Sequence, residues 1–345
     1  MIYAQLFCTV DDLIADKQAP GVDESRMFRA IQEASDWMQK TFGWFIPVTQ
    51  TRYFTGDGSA RLMLPIALLS ITTVSNDGAD LLVTDYVLKP DHGFWANGPY
   101  GKITLSDAAS LRSWSTTQNG VEIDGHWGKY ERIGDTGATV KDATEQTDTQ
   151  TTLEVSDGGK VSPGMVLLID DEQESVTGWG DPTDDVTALD MAGGLSASDE
   201  TLVVDDASLV NVGEIIRIGF EKCRVRDRRV GDNQLSVIRG WNGTARVSHS
   251  DDDSVDVYRT VTVARGVNGT TADTHPTDTK ISRYLVPDDI LLLTKEIATL
   301  SVNKALSGYQ GRTGSQDTGV VFYNDVFPKF DIEKIKSNYR IPRVG

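Results

Sequence analysis

The sequence predicts an α+β fold, in which a core of helices and β-hairpins carries an inserted all-β region of two nested small β modules. Three observations support this class. The segment "DESRMFRAIQEASDWMQKTFG" (23–43) places apolar residues at helical spacing. Residues 152–284 are rich in Val, Thr, Gly and Asp and alternate in short runs, which is typical of strands. A helical pattern returns in "VPDDILLLTKEIATLSVNKALSG" (286–308).

The N-terminal part is predicted to begin with two helices. Thr9 and Asp12 have the spacing of a capping box, so a short helix is expected over 9–17. Asp23 is the predicted N-cap of the second helix, and Gly43 is its predicted end. Strand-like runs follow at 44–56, 60–65, 68–78, 81–90, 101–106 and 120–128.

The middle of the chain contains two repeats in an unusual order. The front half "TTLEVSDGGKVSPGMVLLIDDEQESV" (151–176) is similar to 200–225, and the back half "VIRGWNGTARVSHS" (237–250) is similar to 263–276. The order is front, front, back, back, and the simplest topology that produces it inserts one module into the other. Two modules that exchange their back halves are the alternative, which is topologically more costly.

The repeated phrase R-G-x-N-G-T predicts a tight turn, because Asn-Gly pairs adopt positive φ readily. Each arginine is expected to brace its turn or to bind a nearby carboxylate, and a ligand contact is the alternative role. His249 and His275 are equivalent in the repeat and are therefore expected to belong to the module fold. The predicted turn residues are Arg239, Asn242, Gly243, Arg265, Asn268 and Gly269.

Charge and composition exclude several classes of protein. The formal net charge is −18, which argues against a protein that wraps nucleic acid by neutralising phosphates. Residues 144–284 hold 26 acidic and 13 basic side chains and so contribute −13 of that charge. The beginning of the chain has no signal-peptide pattern, and no apolar run is long enough to span a membrane. The two cysteines suggest neither a disulfide framework nor a zinc site.

Catalytic motifs are absent from the sequence. The four histidines lack metal-ligand spacing, and no P-loop, nucleophile elbow or dinucleotide-binding motif occurs. The run 251–253 lacks the ligand spacing of a calcium loop. We therefore expect neither an enzyme nor a cofactor. A sugar-binding platform could be formed by Trp95, Trp114, Trp127, Trp179 and Trp241, although buried packing is the more common role of such residues.

The two ends of the chain resemble the head–tail connector, or neck adaptor, proteins of tailed bacteriophages. The resemblance lies in an ordered series: "TVDDLIAD", the 23–58 helix-to-strand passage, "RLMLPIALLSITTVSNDG", "TDYVLKP" and "GVEIDGHWGKYE", then "VPDDILLLTKEIATL" and "IEKIKSNYRIPRVG". It covers roughly 190 residues in two pieces, with the β modules inserted at the joint between them.

The resemblance implies a structural virion protein of the neck, assembled in the host cytoplasm. Such proteins form a ring, typically of twelve copies, below the portal protein. The ring extends a channel through which DNA passes without specific binding, and it joins a tail-side neck or tail-terminator protein. In this family the C-terminal segment commonly docks on the portal. The corresponding portal-docking residues are Ile332, Ile335, Tyr339, Arg340, Ile341 and Arg343.

The expected organisation follows from the repeats and the resemblance together. The β modules are expected to project outward from the connector core. The predicted parts are the core at 1–143 and 285–345, the outer module at 144–192 and 260–284, and the inner module at 193–259. The alternative function is a virion decoration or adhesin protein that binds host glycan through the modules. An enzyme such as a capsule hydrolase is the least supported class.

Overall fold

The computed structural model describes residues 3–15, 22–90, 98–107 and 109–306, together with 312–313, 321–322 and 338–339. This part contains three α-helices: α1 (Val10–Ala15), α2 (Glu24–Phe42) and α3 (Asp288–Leu306). The predicted capping box starts α1, since Thr9 Oγ1 accepts from the Asp12 amide at 3.1 Å and Asp12 Oδ2 accepts from the Thr9 amide at 2.8 Å. Asp23 caps α2 by accepting from the Ser25 amide, and Gly43 ends it at φ 92°.

The first sheet contains the strands that follow α2. They are β1 (Val48–Phe54), β2 (Arg61–Asn76), β3 (Ala79–Asp80), β4 (Tyr86–Pro90), β5 (Tyr100–Leu105) and β6 (Val121–Trp127). The order is β1-β6-β2-β5-β4, with β3 added to β2. Strand β2 is 16 residues long, and its first half pairs with β5 while its second half pairs with β6. The sheet therefore encloses its own core, whose largest side chains are Trp114 and Trp127.

Two more antiparallel sheets are built from the middle of the chain. Their strands, with two short pairing strands, are β7 (Ile133–Thr139), β8 (Glu145–Gln146), β9 (Thr152–Glu154), β10 (Val166–Ile169), β11 (Glu172–Trp179), β12 (Thr183–Ala188), β13 (Thr201–Val203), β14 (Ile215–Ile218), β15 (Glu221–Arg229), β16 (Gln234–Ile238), β17 (Ser254–Val257), β18 (Thr260–Ala264), β19 (His275–Pro276) and β20 (Lys280–Tyr284). A last pair is formed by β21 (Arg312–Thr313) and β22 (Val321–Phe322).

The strand order shows how these two sheets are connected. The second sheet has the order β7-β20-β10-β11-β18-β9, and the third has the order β12-β17-β14-β15-β16-β13. All strands of the third sheet lie between β11 and β18, which are neighbours in the second sheet. The predicted boundaries at 144 and 193 divide the chain at other places than the sheets do. Strand β7, which precedes residue 144, pairs with β20 at the edge of the second sheet. Strand β12, which precedes residue 193, pairs with β17 at the edge of the third sheet.

The predicted fold class is wrong. The chain is mostly β, with antiparallel sheets throughout, and it is not a helical connector core that carries β insertions. The strand-like runs before residue 128 do not pack on the helices as hairpins. They bury Leu62, Ile103 and Ile123 inside a sheet of their own, because each strand alternates inward and outward residues around one apolar cluster.

The helices pack on the β modules. One apolar cluster joins Met27 and Met38 of α2 to Ile290 of α3, and it also contains Val166 of the second sheet and Val267 of its turn. A smaller cluster places Ile14 of α1 against Ile215, Trp241 and Tyr258 of the third sheet. The N-terminal segment and the helices thus cover apolar side chains of both modules.

Candidate functional site: two matching turns and the segment that they hold

The two R-G-x-N-G phrases form the same backbone turn. The first follows β16, and the second follows β18. Both central asparagines are left-handed, with φ 54° at Asn242 and 56° at Asn268. The glycines that follow them, Gly243 and Gly269, have φ 73° and 84°. Asparagine and glycine tolerate this conformation at little cost, which explains why this pair recurs at the turn.

Arg239 is buried beneath the first turn and is paired with Glu221. Its Nε and Nη2 atoms donate to the two carboxylate oxygens of Glu221 at 2.7 and 2.6 Å, and both side chains are inaccessible to solvent. Further donors reach the carbonyl oxygens of Ser196, Asp199 and Val247. Glu221 also accepts from the Gly240 and Val247 amides and lies 3.0 Å from Nε2 of His249.

Arg265 repeats this arrangement atom by atom beneath the second turn. Its Nε and Nη2 atoms donate to Glu172 at 2.8 and 2.7 Å, and Nε2 of His275 lies 3.0 Å from Glu172 Oε2. The Gly266 and Asp273 amides complete five hydrogen bonds to the carboxylate. The remaining Arg265 donors reach the carbonyl oxygens of Thr147, Gln150 and Asp273. Each cluster ties its turn to the hairpin that carries the glutamate.

The second cluster contains a buried acid that the first cluster lacks. Glu174 in the second sheet occupies the position that Cys223 occupies in the third, two residues after the paired glutamate. Glu174 is fully buried, and its Oε1 accepts no hydrogen bond, although it lies 3.0 Å from Nε of Arg265. The Oε1 atom of Gln146, whose Nε2 donates to Glu174, is also buried without a partner. The second-sheet cluster therefore holds one more acid than its counterpart.

This extra acid changes the protonation of the cluster. Burial raises the pKa of Glu174 to about 7, and the neighbouring Glu172 charge adds to the shift. Burial opposes ionisation of Glu172 as well, but hydrogen bonds from Arg265 and His275 hold its pKa at about 2. Hydrogen bonds to Glu172 and Asp170 raise the pKa of His275 against the effect of burial. In the other cluster, burial raises the pKa of Cys223 to about 12, so it stays neutral.

Glu172, Glu174 and His275 are also of the residue types that bind metal ions. Their ligand atoms lie within 4.8 Å of one another. The guanidinium group of Arg265, however, already lies within ion-pair distance of both carboxylates and makes two hydrogen bonds to Glu172. A divalent ion would have to displace it. The geometry therefore supports an internal ion-pair network that fixes the turn, rather than a metal centre.

Asn242 uses its side chain to hold the start of α2. Its Oδ1 accepts from the Glu24 amide at 2.7 Å, and its Nδ2 donates to the Glu24 carboxylate at 2.8 Å. The indole Nε1 of Trp241 donates to the same carboxylate at 3.1 Å. Nearby, Arg224 forms a bidentate pair with Asp11 of α1 at 2.6 and 2.7 Å. The third sheet is thus attached to both N-terminal helices.

Asn268 holds the extended segment that precedes α1. Its Oδ1 accepts from the Ala4 amide at 2.8 Å, and its Nδ2 donates to the Ala4 carbonyl at 3.1 Å, as a neighbouring strand would. Nδ2 also donates to Gln173, whose own amide group donates to the Pro47 carbonyl. Asn268 is fully buried. Both turn asparagines therefore bind the N-terminal part of the chain, and neither points to an open pocket.

Of the six predicted portal-docking residues, the structure describes Tyr339. Its ring packs edge-on against Phe45 at 4.9 Å, its hydroxyl donates to Asp289 at 2.8 Å, and its carbonyl accepts from Lys129. This residue is half-buried on the chain's own core. The other five residues, Ile332, Ile335, Arg340, Ile341 and Arg343, lie outside the described residues.

The predicted sugar platform is not formed by the tryptophans that the structure describes. Trp114, Trp127 and Trp241 are almost completely buried, and Trp179 is half-buried against Tyr258. Trp95 lies outside the described residues. The acids of the 251–253 run bind local backbone amides: Asp251 accepts from Met191, and Asp253 accepts from Ser250. These residues stabilise loops.

Sequence reasoning missed the partners of the repeated turn. Glu172 and Glu221 carry the ion pairs, and both belong to the acid-containing turns of the repeated front halves. Aligning front with front and back with back could have paired each glutamate with its arginine. Nothing in the sequence signals the contacts of Ala4 and Glu24 with the asparagines, because they join residues more than 200 positions apart.

The comparisons with known proteins supply no relative. The chain matches no protein-family model, no curated protein and no solved structure. Among the described residues, no helix is long and apolar enough to cross a membrane.

Proposed function

We propose that this chain is a structural subunit of a tailed-phage virion: a head–tail adaptor that forms a ring below the portal and extends the DNA channel. The ordered sequence resemblance at the two ends suggests the role. The observation that supports it best is that the two glutamates at the centres of the matching clusters are bound entirely within the chain. Glu172 and Glu221 each accept five hydrogen bonds from N–H donors of their own module, so these clusters maintain shape.

The attachment of the modules also suits an assembly subunit. Two turns on different sheets bind two successive pieces of the N-terminal part, at Ala4 and at Glu24. Arg259, at the joint between the modules, pairs with Glu214 at 2.7 Å while Glu214 accepts from the Gly158 amide. A subunit that joins two larger bodies must keep its separate surfaces in a fixed relation, and these contacts supply that rigidity.

The set of residues that we propose to contact the portal becomes smaller. Tyr339 is bound to Phe45 and Asp289 of its own chain, so we assign it the role of an anchor rather than a portal contact. The portal contacts that we propose are then Ile332, Ile335, Arg340, Ile341 and Arg343. The partner on the other side of the ring is a tail-side neck or tail-terminator protein. Glycan binding through the modules receives no support from the buried tryptophans.

The test is docking on the cognate portal ring, imaged by electron microscopy. The full-length chain is compared with a chain truncated after Tyr339, which keeps the contacts of that residue with the core. A symmetric collar with the full-length chain alone supports both the adaptor role and tail docking. A collar with both chains supports the adaptor role and shows that residues 340–345 are not needed for docking. If the full-length chain forms no collar, the adaptor proposal is wrong.

A further inference from the structure

The outer surface of the first sheet is divided into a basic half and an acidic half. Residues that pair directly across neighbouring strands share one face. Across β2, β5 and β4, one outward row is Arg61, Thr104 and Val87, and the next is Met63, Lys102 and Lys89. Leu62, Ile103 and Leu88 lie between these rows and face the core. We call the two outward rows the basic face.

The second half of β2 carries the opposite charge. Across β1, β6 and β2, one outward row is Tyr53, Glu122 and Ser75, and the next is Thr51, Asp124 and Thr73. Ile123 and Val74 between them point into the same core that the basic face covers. We call these two rows the acidic face. The first half of β2 contributes to the basic face and its second half to the acidic face, and both faces cover one core.

Neither set of charges has an ion-pair partner among the described residues. In the part that the structure describes, Arg61, Lys89 and Lys102 form no ion pair, and neither do Glu122 and Asp124. Each face also exposes a large apolar side chain: Met63 on the basic face is 51% exposed and Tyr53 on the acidic face is 56% exposed. A basic face is notable in a chain of net charge −18. Met, Tyr and Arg are enriched in protein–protein interfaces, and polar residues form the rim around them.

We infer that the basic face of one copy of this chain binds the acidic face of the next copy. This inference rests on the proposed adaptor function, which requires a ring. A closed ring of more than two copies needs a heterologous contact, formed by two different and complementary patches on each subunit. The two faces of the first sheet satisfy this condition, with opposite charges that steer and orient the contact. They also leave the β modules free for other partners.

Charge reversal on each face tests the contact directly. The basic-face variant is Lys89→Glu with Lys102→Glu, the acidic-face variant is Glu122→Lys with Asp124→Lys, and the rescue variant carries all four changes. Lys160→Glu with Lys280→Glu, at exposed positions in the modules, is the matched control. Self-association is measured by sedimentation velocity at several protein concentrations and two salt concentrations. Circular dichroism and urea unfolding show whether each variant is folded.

The inference predicts that each single-face variant associates at least about tenfold more weakly than the parent chain. The rescue variant is expected to associate again, since its reversed faces are complementary, and so is an equimolar mixture of the two single-face variants. High salt should weaken association of the parent. Rescue cannot be explained by misfolding.

Two outcomes would overturn the inference: single-face variants that associate like the parent, or a folded rescue variant that stays dissociated. Either can occur while the parent still forms a collar on the portal, in which case the adaptor function stands and a different surface closes the ring. If the parent neither self-associates nor docks on the portal, the proposed function fails together with the inference.

Discussion

Replacement of Glu174 by glutamine should make the protein less sensitive to pH. Glu174 is fully buried beside Glu172, and its pKa is raised to about 7 from an ordinary value of 4.5. The groups that face it are Arg265, His275 and Gln146, and Asp170 contacts the far nitrogen of His275. A neutral glutamine keeps the size of the side chain and removes the charge that burial disfavours.

The sign and size of the effect follow from linkage. Between pH 4.5 and about 7, the folded protein keeps a proton that the unfolded chain releases, so the stability due to Glu174 is present below this window and is lost as pH rises through it. Each pKa unit corresponds to about 1.4 kcal/mol, so the loss amounts to about 3 kcal/mol above pH 7. The raised pKa of His275 acts in the same direction.

The measurement is urea unfolding of the wild type and the variant at about pH 5 and about pH 8. The variant should be more stable than the wild type at the higher pH, by up to about 3 kcal/mol, and about equal to it at the lower pH. Glu174→Cys is the matched control, because it reproduces the residue of the equivalent cluster and should behave like the glutamine variant. If both variants lose stability at the higher pH, Glu174 is a favourable charge and the reasoning is wrong.

Two further predictions concern the turns. Arg239→Met should destabilise the chain by about 3–5 kcal/mol in urea unfolding, because it leaves Glu221 charged and buried. The double variant with Glu221→Gln should recover part of this loss. Full stability of the single variant would contradict the ion-pair assignment. Asn268→Ala removes two hydrogen bonds to Ala4 and should cost about 2 kcal/mol. Hydrogen exchange of the Ala4 amide should rise in this variant and remain slow in Asn242→Ala, whose turn binds Glu24; equal exchange in both would refute the assignment.

Local patterns in the sequence predicted the helix starts and the repeated turns well. Thr9, Asp23 and Gly43 lie at the predicted helix ends, because capping depends on residues within one turn. The positive φ of Asn242 and Asn268 likewise depends only on the turn itself. The pairing of each arginine with a glutamate depends on strand register, which brings residues 18 and 93 positions apart together. Such contacts cannot be read from spacing alone.

The error in fold class has the same origin. The predicted run 60–65 overlaps the start of β2, in which buried and exposed residues alternate. The sequence pattern does not reveal what covers the buried side of this strand. The structure covers it with strands of the same sheet, through a β2 long enough to pair on both halves with different neighbours. The two predicted runs 60–65 and 68–78 are therefore parts of one strand.

Polar contacts restrict the movement of the inner module relative to the module into which it is inserted. The chain enters and leaves the inserted module at two adjacent points, where the Gly180 amide donates to the Thr260 carbonyl. Such a joint alone would act as a hinge. Arg259 closes one side of the joint through Glu214. Arg224 and Trp241 hold the far side to α1 and α2. Because these attachments connect the inner module to different parts of the chain, rotation about the joint would break at least one buried or bidentate ion pair. The duplicated turn therefore fixes each module to the N-terminal part of the chain, and this explains why both copies keep an asparagine whose side chain binds that part.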